Sequence, residues 1–101
     1  MGTREDLQTL LVSLFDSEHV YFQPPSGFKM EYPAIKYSVS NRDSDYANDK
    51  KYRNKVSYEI IVIDRKADNP VIEKILDLPY SSWNRGYKAD NLYHDVITLY
   101  Y

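Results

Sequence analysis

The only histidines in the chain are His19 and His94, and proton-transfer chemistry at neutral pH would start from one of them. His94 is followed by Asp95 and preceded by Asp90. Neighbours in an extended strand point to opposite faces, so His94 and Asp95 form no dyad. Asp90 is placed to share a hydrogen bond with His94 across a turn. An enzyme would need His94, Asp90 and Glu59 to converge in one pocket. Ser57, Ser81 and Ser82 lack a local base and a Gly-x-Ser-x-Gly elbow. Three glycines in the whole chain leave no Gly-rich phosphate loop. Asp43, Asp45 and Asp49 invite a calcium reading, but the turn glycine and terminal glutamate of an EF-hand are missing. These residues give no catalytic set, no cofactor site and no metal site.

A second cluster points to binding. Lys50, Lys51, Arg53 and Lys55 are interleaved with Tyr52, as in a small nucleic-acid patch. Asp43, Asp45 and Asp49 dilute its field. A solvated charged loop is the plain alternative, and a salt-bridge strip between subunits is the third. Net charge is -2, with 13 basic and 15 acidic side chains, which argues against a dedicated nucleic-acid binder. Eleven tyrosines stand out. Tyrosine suits half-buried strands and protein interfaces alike.

The elements that would position these residues form one domain of 101 residues. There is no cysteine, hence no disulfide framework. No apolar run approaches the ~20 residues of a membrane span. A signal-peptide pattern is absent, and Asp6 sits where a myristoylation signal wants Ser or Thr. A soluble intracellular protein is expected.

Residues 4–16 carry an apolar stripe of Leu7, Leu10, Leu11, Leu14 and Phe15 at helical spacing, with Thr3 as N-cap. Residues 20–23 read as a short strand stopped by Pro24-Pro25. A loop carrying Phe28 and Met30 follows. Residues 32–40 read as a second strand, with Pro33 marking an edge or a strand start. Residues 56–64 read as the central strand, rich in β-branched side chains. Ile60 and Val62 fill one of its faces and Ile61 and Ile63 the other, so both faces need cover. Two helices cover one face, and a second copy of the chain is expected to cover the other.

Asp68-Asn69-Pro70 starts a second helix whose stripe is Val71, Ile72, Ile75 and Leu76. Residues 80–87 read as a fourth strand that turns after Gly86, and residues 92–101 as a fifth. The expected fold is α+β, in the order α-β-β-β-α-β-β. The sheet is mostly antiparallel and both helices pack on one face. The polar stretch 41–55 is too long for a tight hairpin. It reads as an arm reaching a neighbour, with Tyr46 and Tyr52 as anchors and Lys50, Lys51 and Arg53 beside them. Ile61 and Ile63 complete the expected interface.

Three stretches resemble small proteins of tailed bacteriophages and prophages. They are Glu-Tyr-Pro-Ala-Ile-Lys-Tyr at 31–37, Tyr-Glu-Ile-Ile-Val-Ile-Asp at 58–64 with Asn69-Pro70 behind it, and Ala-Asp-Asn-Leu-Tyr-His-Asp-Val-Ile-Thr-Leu-Tyr-Tyr at 89–101. The element order is similar to the tail-terminator, or tail-completion, fold. The resemblance implies a structural protein of the neck or tail end that assembles as a ring, often a hexamer. Its partners would be itself and tail-tube or head-connector proteins, with DNA only as cargo passing through a lumen. Its place would be the virion, after assembly in the bacterial host cytoplasm. It brings no catalytic residues. A small protein-binding adaptor using the tyrosine-rich sheet is the alternative, followed by a small enzyme or nucleic-acid factor.

Overall fold

The computed structural model describes residues 4–42 and 56–101. Two helices and five strands follow the order expected: α1 (Arg4–Phe15), β1 (Val20–Phe22), β2 (Ala34–Arg42), β3 (Val56–Asp64), α2 (Val71–Leu76), β4 (Ser81–Ala89) and β5 (Leu92–Tyr100). They form one five-stranded sheet of order β1-β2-β3-β5-β4. β3 is its middle strand, antiparallel to β2 and β5. The β2–β3 and β4–β5 pairs are antiparallel, as expected. β1 joins the outer side of β2 in parallel, so the intervening chain must cross over the sheet.

Both helices lie on one face. Leu7 and Leu11 of α1 and Val71, Ile72 and Ile75 of α2 pack on Ile35, Tyr37, Tyr58, Ile60, Val62, Ile97 and Leu99. The alternation of β3 explains the choice, since residues i and i+2 share a face. Gln8 ties the layers together. Its amide donates to the Val20 carbonyl at 3.1 Å and accepts from the Tyr37 hydroxyl at 2.5 Å. Asn69 caps α2: its side-chain oxygen accepts the Val71 N–H at 2.9 Å, while Pro70 already has helical angles.

The opposite face corrects one expectation. Ile61 (8% exposed) and Ile63 (2% exposed) are buried within the chain together with Val96. Met30, Tyr32 and Leu92 pack against them. The crossover between β1 and β2 thus supplies the second cover expected from another copy. Met30 has the anchoring role foreseen for it, on its own subunit. Phe28 stays half exposed against Tyr21, with ring centroids 5.3 Å apart.

A second correction concerns the last hairpin. Gly86 lies within β4, and the chain turns at Asp90-Asn91. Both turn residues have positive φ, 54° and 63°, as a two-residue type I′ hairpin turn requires. β4 also holds one extra residue, Asn84, at a bulge between Trp83 and Arg85.

Candidate functional site

The residues that could do chemistry are kept apart. His94 pairs with Ile63 across the β3–β5 ladder, and Glu59 pairs with Thr98. They share the face opposite the helices, four residues apart along the strands, or roughly 13 Å. Glu59 lies instead beside Gln23, Pro24, Lys36, Ser38 and Ile61, around an open cleft of about 270 Å³. Asp90 belongs to the hairpin turn. The expected His94–Asp90 bond is replaced by one from His94 Nδ1 to the Leu92 carbonyl, 3.1 Å. Since a carbonyl only accepts, this bond puts the imidazole proton on Nδ1. Asp95 is on the helix-bearing face, where it accepts from the Trp83 indole, so the adjacent His and Asp do diverge. His19 pairs with Glu31 at 3.4 Å near the surface. Among the described residues, no three of His, Asp and Glu gather as metal ligands.

Of the expected interface, Tyr46, Lys50, Lys51, Tyr52 and Arg53 lie outside the described residues. Ile61 and Ile63 are covered by their own chain, which leaves them little surface to offer another.

The most exposed part of the sheet is elsewhere, on β4. Its sequence, Ser-Ser-Trp-Asn-Arg-Gly-Tyr-Lys-Ala, has no large aliphatic residue, and only its two end residues are even half-buried. Trp83 is 52% exposed and Tyr87 43% exposed. Neither hangs loose. The Trp83 indole N–H donates to Asp95 Oδ1 at 3.2 Å. The ring runs along the strand over Gly86, where an added Cβ would lie 3.3 Å from Trp83 Cζ2 and 3.2 Å from Asp95 Oδ1. A side chain there would push the indole or the Asp95 carboxylate aside by a few tenths of an ångström. On the other face Tyr87 stacks on His94, with centroids 4.6 Å apart and planes 10° from parallel. Arg85 sits 5.8 Å from the Tyr87 ring centre and Lys88 5.1 Å from that of Tyr93, within cation–π range. A shallow cleft of about 330 Å³ runs beside the hairpin, between Ala67-Asp68 and residues including Gly86, Lys88 and Tyr93.

This arrangement can bind, through ordered aromatic rings, two cations and an open strand edge. The sequence carried a signal for it: a nine-residue strand without large aliphatic residues, but with Trp and Tyr, cannot be a core strand. No helix among the described residues is long and apolar enough to cross a membrane. No protein-family model, no curated protein and no solved structure matches the chain.

Proposed function

We propose that this chain is a structural assembly protein of the neck or tail end of a tailed bacteriophage or prophage. It acts by self-association and by docking to tail-tube or head-connector proteins, without catalysis. The observation that carries the assembly reading is β4, an exposed edge strand with ordered Trp83 and Tyr87. Aromatic side chains held in place on a surface are the usual anchors of protein interfaces. The phage context rests on the resemblance. The residues that carry it fall on β2, on β3 and on the turn and second strand of the β4–β5 hairpin, and the order α-β-β-β-α-β-β agrees with it. The net charge of -2 suits a conduit that DNA passes without sticking. The place of action is the virion, after assembly in the host cytoplasm.

The test is solution mass by light scattering over a wide concentration range, for the chain and for a variant with 43–55 replaced by a short Gly-Ser linker. A mass climbing towards six times 11.9 kDa for the parent, and not for the linker variant, supports a ring closed by that segment. A parent that stays monomeric, and that tail-tube protein does not retain, overturns the neck reading. A one-to-one complex with some other protein would favour the adaptor reading, which the same exposed edge of β4 also suits.

A further inference from the structure

The backbone of β4 has a defined outer rim. At one end of the β4–β5 ladder the Tyr100 N–H donates to the Tyr80 carbonyl at 3.1 Å. At the other, Ala89 and Leu92 close the two-residue turn. Antiparallel ladders alternate between bonded and non-bonded pairs. Both ends give the same phase once the bulge is counted as a single step. Ser82, Tyr87 and Ala89 therefore turn their N–H and C=O groups towards β5. Ser81, Trp83, Gly86 and Lys88 turn theirs outward. Among the described residues no strand pairs with that rim. An edge of this length, with its backbone groups presented to solvent, is a template for another strand.

The side chains narrow down what that strand is. With the bulge counted as one step, Trp83 and Lys88 lie equally far from Gly86. Two copies of β4 placed antiparallel about a twofold axis through Gly86 therefore bring Trp83 opposite the second copy's Lys88. Arg85 comes opposite the second copy's Tyr87, and the two glycines face each other. Each cation then meets an aromatic ring and no like charges are directly opposed. The two neighbouring centres do worse. An axis through Arg85 sets the two arginines face to face. One through Tyr87 sets Trp83 against the Asp90 turn, beyond the end of the strand. Because the pairing is isologous, every contact occurs twice.

We infer that β4 is the docking edge for a second copy of this chain, which adds its own β4 antiparallel with Gly86 at the twofold axis. Two five-stranded sheets then join into one. The inference rests on the self-association in the reading above, and on neither its ring nor its phage context. A twofold contact joins chains in pairs, or joins two rings, and does not itself close a ring.

Disulfide trapping tests the register, since the chain has no cysteine of its own. In this register residues 85 and 87 of opposite copies form a non-hydrogen-bonded pair, with Cα atoms roughly 4.5 Å apart, within disulfide reach. Arg85→Cys and Tyr87→Cys chains are mixed and oxidised. The mixture is expected to give roughly tenfold more covalent dimer than either variant alone, where the cysteines are offset along the strands. In light scattering the parent gains a species of twice 11.9 kDa as concentration rises. Lys88→Pro removes an outward N–H and leaves the β5 ladder intact. It is expected to stay monomeric with an unchanged circular dichroism spectrum. Lys88→Ala, which keeps the N–H, retains part of the dimer. Association without the mixed cross-link, or a Lys88→Pro chain that still pairs, overturns the β4 contact and leaves self-association standing. A cross-linked dimer that never grows larger upholds the contact and removes the ring. A parent that is monomeric at millimolar concentration overturns both.

Discussion

The indole N–H of Trp83 is held by the carboxylate of Asp95, 3.2 Å away on the neighbouring strand. The ring is thereby fixed on an exposed strand, with Gly86 leaving room beneath it. Removing either support should move the ring without unfolding the protein. Trp83 is the single tryptophan, so its emission, read in dilute monomer, reports on this site. Asp95→Ala is expected to red-shift the emission and to cost about 0.5–1.5 kcal/mol. Gly86→Ala is expected to change the emission as well, with stability shifted by less than about 1 kcal/mol. Emission unchanged in both variants would show that the indole is not held.

The face opposite the helices should behave as core even in a dilute monomer. Ile63→Ala is expected to cost about 2–4 kcal/mol in urea unfolding. Met30→Ala, which uncovers Ile61 and Ile63, is expected to cost about 1–2 kcal/mol. Both losses should be the same at low and high protein concentration. Losses that appear only in concentrated samples would mean that a second copy provides the cover.

Tyr37 gives the fold a pH limit. Burial pushes its hydroxyl pKa above the usual 10.0, with the Arg4 charge opposing the shift. Between the unfolded and folded pKa values the folded chain holds the proton and the unfolded chain has lost it. Folding stability is therefore intact below pH 10 and falls as pH rises past it. Tyr37→Phe is expected to flatten that alkaline decline. It should also lower stability near neutrality by about 1 kcal/mol, because Gln8 loses a partner. An unaltered alkaline decline in Tyr37→Phe would assign it to other groups.

The Asp90-Asn91 turn can be probed at its second residue, where φ is 63°. Asn91→Val puts a β-branched side chain in left-handed geometry and is expected to cost about 1–2 kcal/mol. Asn91→Gly is expected to be neutral or to add about 0.5 kcal/mol, a few degrees in Tm. Equal melting temperatures for the Val and Gly variants would argue against a type I′ turn.

Local patterns made most of this fold readable. The stripes of α1 and α2, Asn69-Pro70 before α2 and the β-branched run of β3 each announce one element through spacing alone. Gly86 misled because glycine usually marks a turn, whereas here it answers to the Trp83 ring above it. The true turn uses Asp and Asn, which tolerate positive φ and are easily read as ordinary loop residues. The parallel pairing of β1 and the packing of Met30 and Tyr32 on Ile61 and Ile63 have no periodic signature, since they depend on where a loop crosses the sheet. The open rim of β4 was hidden for a similar reason. Its composition says that it is not a core strand, but strand order decides that it ends the sheet. The expected arm at 41–55 is shortened at its start, because Asn41 and Arg42 pair with Ser57 and Val56 as the end of β2, and residues 43–55 lie outside the described residues.

The location of β5 has a consequence for synthesis. This last strand lies between β3 and β4, and it contributes Val96, Ile97 and Leu99 to the interior. A nascent chain can form α1 and pair β2 with β3 while still on the ribosome. One side of β3 stays unpaired until residues 92–100 have left the exit tunnel. Until then the molecule is a half-sheet with an apolar rim, the kind of species that chaperones retain and that associates wrongly when crowded. The sheet is thus completed only after β5 has emerged, and the β4–β5 hairpin closes this domain in one late step.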